Sequence, residues 1–185
     1  ADALPVGEHS GWAANPVDLF LQARWKSAEV RPVSDAPRRV LLRRVYFDLL
    51  GLPPTRAQLS RDLADPTADA WSRLADRLLA SPHYGERWGR HWLDVVRYAD
   101  SQGDENQDFP IPQAYKYRNY VIDAFNQDTP FDLFVREQIA GDRMPDSDPV
   151  VTRRRRIATG FLAMSRRQGG QEHLTIEDTI DTLGR

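Results

Sequence analysis

No stretch of this 185-residue chain alternates β-branched and polar residues as a half-buried strand requires, whereas apolar residues return at helical spacing almost throughout. Helix starts and stops punctuate that pattern. Asn15-Pro16 followed by Asp18 supplies a capping side chain, a proline at the first helical position and an acid in the first turn. Val17, Leu19, Phe20, Leu21 and Trp25 follow it. Ser34 to Pro37 opens a second helix carrying Val40, Leu41, Val45, Phe47 and Leu49, which Gly51 ends as a left-handed cap before Pro53-Pro54. Thr55 with Gln58 is a capping box for a short helix to about Leu63. Asp65-Pro66-Thr67 starts a fourth with Trp71, Leu74 and Leu78, and Ser81-Pro82 begins a fifth. Beyond a loop over QGDENQDFPIP, helical spacing resumes at Tyr117, Tyr120, Val121, Ala124 and Phe125. Thr129-Pro130 with Asp132 heads a helix through Phe131, Phe134, Val135 and Ile139 to Gly141. An arginine-dense helix over about 150–164, a glycine loop from Arg166 to Gln171 and a last segment at 174–183 complete the chain. The expectation is all-α: an irregular bundle of about eight or nine helices without significant sheet. It would form one helical domain over 1–185, or the N-terminal part of a larger one.

The densest chemistry lies between Ser81 and Asp108, where two tryptophans, two histidines, two tyrosines and three arginines precede a run of acids. Wound as a helix, this stretch collects Tyr84, Trp88, Trp92, Val95, Val96 and Ala99 on one broad apolar side. Arg87, Arg90, Asp94 and Arg97 gather on another, with His91 and Tyr98 on the seam. Arg87, His91, Asp94 and Tyr98 then rise as one stripe. Two readings of that stripe stand open. In one, His91 is a proton carrier or axial ligand oriented by Asp94 and flanked by Arg87, which makes these four the candidate catalytic residues. In the other, Arg87 and Asp94 form helix-surface ion pairs and His91 donates to a neighbouring helix.

Composition bounds the alternatives. A formal charge of −2 gives no basic field for nucleic acid, and no apolar run reaches the roughly 18 residues of a membrane span. The absence of cysteine rules out disulfides, thiolate metal sites and covalent haem attachment within these residues. The four histidines, His9, His83, His91 and His173, never share the spacing of a zinc helix. Glycine-rich phosphate fingerprints and nucleophile elbows are lacking too. Asp100, Asp104, Glu105 and Asp108 could hold calcium, although the spacing departs from an EF-hand and a solvated turn is the default reading of these acids. Tyr115, Tyr117 and Tyr120 could line a ring-binding surface, with core packing of the latter two as the default. Arg153 to Arg156 follow Asp142, Asp146 and Asp148, which favours internal ion pairing or a partner's acids over nucleic acid.

Five segments carry a family resemblance: NPVDLFLQARW (15–25), LLRRVYFDLLGLPPT (41–55), LADRLLASPHYGERWGRHWLDVVRYADSQG (74–103), YKYRNYVIDAFNQDTPFDLFVREQIAGD (115–142) and IATGFLAM (157–164). The chain resembles the planctomycete cytochrome-c-associated domain of unknown function, which lies between a cytochrome-like domain and a second uncharacterised domain in large exported proteins. The shared pattern falls here on His83, Tyr84, Arg87, Trp88, His91, Trp92, Asp94, Arg97, Tyr98, Asp100 and Gly103. The resemblance implies an exported, redox-associated protein. Its haem c would attach at a C-x-x-C-H stretch that family members carry past a segment like IEDTIDTLGR (176–185). On that reading His91, Arg97, Trp88 and His83 face the cofactor, with Arg87 or Arg97 pairing with propionates or an anionic substrate. The partners would be neighbouring domains of the same protein or a cytochrome c. Alternatives are a non-catalytic polysaccharide- or protein-binding module, with or without calcium, and a scaffold that packs against neighbouring domains and would show a large exposed apolar patch.

Overall fold

Side-chain caps fix where several helices begin, and apolar contacts decide what each one covers. The computed structural model describes residues 13, 15–31, 33–101, 108–163 and 172–184, and the chain divides into two units, residues 1–37 and 38–185. The described part of the first unit holds α1 (Pro16–Ser27), headed by the expected capping box: Asn15 accepts from the Val17 and Asp18 N–H groups while Asp18 returns a bond to the Asn15 N–H. None of its helical residues is buried.

The second unit contains α2 (Arg38–Leu50), α3 (Arg56–Ala64), α4 (Ala70–Leu79), α5 (Pro82–Val95), α6 (Ala114–Asn126), α7 (Phe131–Ala140), α8 (Pro149–Ala158), the four-residue α9 (Gly160–Ala163) and α10 (Glu172–Leu183). A 3-10 turn, Gly141–Arg143, follows α7. The described residues contain no strand, only an isolated antiparallel bridge between Ser101 and Pro110, so the all-α expectation holds.

Two apolar clusters organise this unit. Leu42, Tyr46, Leu74 and Leu78 join α2 to α4, with Leu59 of α3 packed against them. Asp62 is buried beside them, accepting from the Tyr46 hydroxyl at 2.9 Å, Arg61 at 3.0 Å and Arg77 at 2.7 Å. Burial works to raise its pKa, but the bonds from Arg61 and Tyr46 and the charge of Arg77 outweigh it and hold the carboxyl below its usual range. The larger cluster, Val96, Tyr117, Tyr120, Val121, Ala124, Phe134, Ala158 and Phe161, draws α6, α7, α8 and α9 around the end of α5.

Glycine brings α5 against α6. A Cβ on Gly85 would lie 2.3 Å from the Ile122 carbonyl oxygen and 2.7 Å from the Asn126 side chain. Asn126 uses that proximity to cap α5 from outside. It accepts from the Gly85 N–H at 2.8 Å and donates to the Pro82 carbonyl at 3.1 Å, where Ser81 makes no side-chain cap of its own.

The end of α5 corrects the sequence reading. The helix stops at Val95, and Arg97 takes a left-handed conformation (φ 55°). Tyr98 N–H reaches the Leu93 carbonyl and Arg97 N–H the Asp94 carbonyl, the paired bonds of a Schellman ending. Tyr98 and Ala99 therefore leave the helix, and the four-residue stripe is broken after Asp94.

Candidate functional site

Arg87, His91 and Asp94 remain on α5, spaced along its solvent edge. His91 is exposed, its ring edge-on to Trp88 with centroids 5.3 Å apart. Asp94 does not orient it: among the described residues neither side chain has a hydrogen-bond or ion-pair partner. Arg87 is half-buried, lies against Gly51, and has a buried Nε that no acceptor among the described residues meets. The other expected ligands are engaged elsewhere. His83 Nδ1 lies 2.9 Å from Glu86, and the Trp88 indole donates to the Asp48 carbonyl at 3.1 Å. Arg97 donates to Asp178 at 3.0 Å and Asp181 at 2.7 Å, tying α10 to the end of α5. Tyr98 donates to Asp100, and burial together with that bond and its negative charge pushes the phenol up to about 12.

Of the acids considered for calcium, Asp104 and Glu105 lie outside the described residues. Asp100 is held by Tyr98 and lies 3.7 Å from Arg118, and Asp108 is exposed. Among the described residues no group of three His, Cys, Asp or Glu side chains is arranged to hold a metal ion.

The adjoining apolar face of α5 is built differently. Trp92, Val95 and Val96 form one wall of an apolar cleft, closed by Phe131, Val135, Gln138 and Ile139 of α7, Phe161 of α9 and Leu183 of α10. Its volume is about 210 Å³. Its rim is exposed hydrocarbon, with Phe131 71% and Ile139 51% accessible. Beneath it lies a polar floor in which the Trp92 indole donates to the Tyr117 hydroxyl at 3.1 Å and to Gln138 Oε1 at 3.0 Å. Tyr117 donates to the same oxygen, and Gln138 Nε2 reaches the Phe134 carbonyl at 3.4 Å. Burial raises the Tyr117 pKa, so the floor stays neutral.

A charged network adjoins that floor. Glu137, 1% exposed, accepts from Tyr120 at 3.0 Å and from Arg155 at 3.3 Å, with Arg154 at 3.8 Å. Arg155 also reaches Asp146 at 3.2 Å, and Arg154 stands over the Tyr120 ring. Burial, then the charge and hydrogen bond of Glu137, push the Tyr120 phenol up. The arginine run thus makes the internal pairs expected of it, but chiefly with Glu137 rather than with the acids just upstream. Sequence reasoning missed Glu137 and Gln138. The available signal was their position in the helix headed by Thr129-Pro130, on the same face as Phe134.

His91 does not line the apolar cleft, while Arg97, Trp88 and His83 each have partners within the chain. The cleft itself is too small for a porphyrin, since pockets for drug-sized molecules run about 300–1,000 Å³. Among the described residues His91, Arg97, Trp88 and His83 do not line this cleft.

A family model described as a protein of unknown function (DUF1549), PSCyt2, matches residues 16–185. The chain belongs to this family. No curated protein and no solved structure matches it. Membership brings no activity, substrate or cofactor with it, so any chemical role rests on the geometry.

Proposed function

We propose that this chain is a non-catalytic helical docking module, whose apolar cleft beside α5 receives one or two large side chains from a neighbouring domain of a larger protein. The observation that carries this reading is the cleft's combination of size and rim. At about 210 Å³ it falls below the usual range for small-molecule sites, and interface anchors are large side chains seated in well-packed apolar pockets. Phe131, Ile139 and Leu183 continue the apolar surface outward, as an interface does around its anchor. The polar groups beneath are spent on each other, which supports a holding role over a chemical one.

The family resemblance makes a cytochrome-type domain the first candidate for that neighbour, and an exported, redox-linked protein the setting. Haem would then belong to the partner, and this chain would position it. The experiment is a binding titration between this chain and the cytochrome-type domain, produced separately. Ile139→Glu should weaken binding by about 30-fold or more, the scale of an interface hot spot, while His91→Ala leaves it unchanged. Loss of binding in His91→Ala with Ile139→Glu unaffected would refute the reading.

A further inference from the structure

We infer that the groove between α2 and α3 is a separate binding site for an organic phosphate monoester, its phosphate on arginines and its organic part on leucine. Arg39, Arg43, Pro54, Arg56, Leu59, Ser60 and Leu63 line this groove, whose volume of about 640 Å³ lies within the small-molecule range that the apolar cleft falls short of. No carboxylate is among its lining residues.

The sequence concentrates positive charge here. Residues 38–63 hold six arginines against two aspartates, in a chain whose net charge is −2. Folding spends some of them: Arg38 binds the Asp62 and Asp65 carbonyls, and Arg61 pairs with Asp62. The three in the groove are not spent. Among the described residues Arg39, Arg43 and Arg56 have no ion-pair partner, and Arg43 rests only on the Phe47 ring at 4.7 Å. Such a cluster of uncompensated guanidinium groups favours an anion of more than one charge.

Local structure preforms the site. Arg39 and Arg43 are one turn apart on α2, flanking the stripe of buried Leu42 and Tyr46. Gly51, at φ 70°, ends α2, and Pro53-Pro54 stiffens the link to α3, so little order has to be gained on binding. Arg56 is the first residue of α3, where the helix dipole adds to its charge. Guanidinium forks match phosphate oxygens, and a phosphate monoester carries about −1.5 to −2 charge at neutral pH. Leu59, Leu63 and Pro54 offer the remaining wall to an apolar substituent.

Phenyl phosphate is the probe, titrated into the whole chain by calorimetry and amide NMR. Arg39→Gln/Arg43→Gln should reduce affinity about tenfold or more without moving the thermal midpoint, because charged hydrogen bonds are lost from an exposed surface. Arg39→Lys/Arg43→Lys should fall between that variant and the parent. Arg153→Gln/Arg156→Gln, on α8, should leave binding unchanged. Inorganic phosphate should bind more weakly than phenyl phosphate, and Leu63→Ser should abolish that difference. Phenyl sulfate, with one charge, should bind several-fold more weakly. The inference fails if phenyl phosphate does not bind, if the α8 variant loses affinity equally, or if phenyl sulfate binds as well. An acidic peptide that binds more tightly than phenyl phosphate would also overturn it, in favour of a protein-binding surface.

Discussion

On one side of α5 the Trp92 indole is shared between a tyrosine hydroxyl and a buried glutamine; on the other His91 stands edge-on to Trp88, and neither it nor Asp94 has a side-chain hydrogen-bond or ion-pair partner among the described residues. Both sides carry polar atoms, and the difference lies in what each atom's neighbours require of it. A buried donor left without an acceptor costs about 1–3 kcal/mol, so the Trp92 side is constrained by every group it touches. The exposed edge is constrained by almost nothing. Residue types that suggest catalysis therefore sit where the fold asks least of them, and the more demanding arrangement lies under an apolar cleft. The contrast supports reading α5 as the wall of a docking surface.

Four substitutions or titrations sharpen or break this contrast. The largest effect is expected at Glu137, next to the buried side. Glu137→Ala strands Arg154, Arg155 and Tyr120, and should cost about 3–5 kcal/mol in urea unfolding, whereas Asp94→Ala, at an exposed position, should stay within about 0.5 kcal/mol. Comparable losses would erase the distinction between the two sides. Gly85→Ala should cost about 1–3 kcal/mol, because its Cβ would meet the Ile122 carbonyl and neither backbone can yield cheaply. An unchanged denaturation midpoint would show that α5 and α6 can part.

The third test uses alkali. Tyr46, Tyr98, Tyr117 and Tyr120 all have pKa values raised above the ordinary phenol value of 10.0, chiefly by burial. The folded protein therefore keeps protons that the unfolded chain gives up near pH 10. Stability should be full below that point and decline as pH rises through the folded-state values, with Tyr98 ionising at about 12. Chemical denaturation at a series of pH values, followed alongside phenolate absorbance, tests this; constant stability between pH 10 and 12 would contradict it. The smallest effect is at Asp128, which holds a left-handed conformation (φ 49°) at the end of α6. Asp128→Gly should raise stability by up to about 1 kcal/mol by relieving that conformation, and a loss would mean that the side chain is needed there.

These endings explain where the sequence was legible and where it was not. Asn15 with Asp18, Thr55 with Gln58, and Gly51 announce themselves by residue type, and each is found in its expected role. The helices α1, α5 and α6 end through Glu29, Arg97 and Asp128 in left-handed conformations, where glycine is the usual signal. Nothing in RYADS marks Arg97 as a terminus, so the stripe read through Tyr98 was longer than the helix that carries it. The candidate site failed for a related reason. His91 and Asp94 are visible because they are adjacent on one helix. Gln138 and Glu137 acquire their meaning from Trp92, Tyr117, Tyr120 and Arg155 on three other helices. Local spacing cannot report a network assembled by tertiary packing. The apolar cleft is harder still to read, since its walls come from α5, α7, α9 and α10.

The most direct test follows indole N–H signals of Trp92 and Trp88, by NMR, as the separately produced cytochrome-type domain is added. Trp92 lines the cleft, whereas Trp88, one turn earlier and outside the cleft lining, packs edge-on against His91, so the two report the cleft and the histidine edge separately. Docking through the cleft should shift Trp92 and slow its hydrogen exchange while leaving Trp88 in place. A shift confined to Trp88, with Trp92 still, would put the partner on the histidine edge and contradict the account.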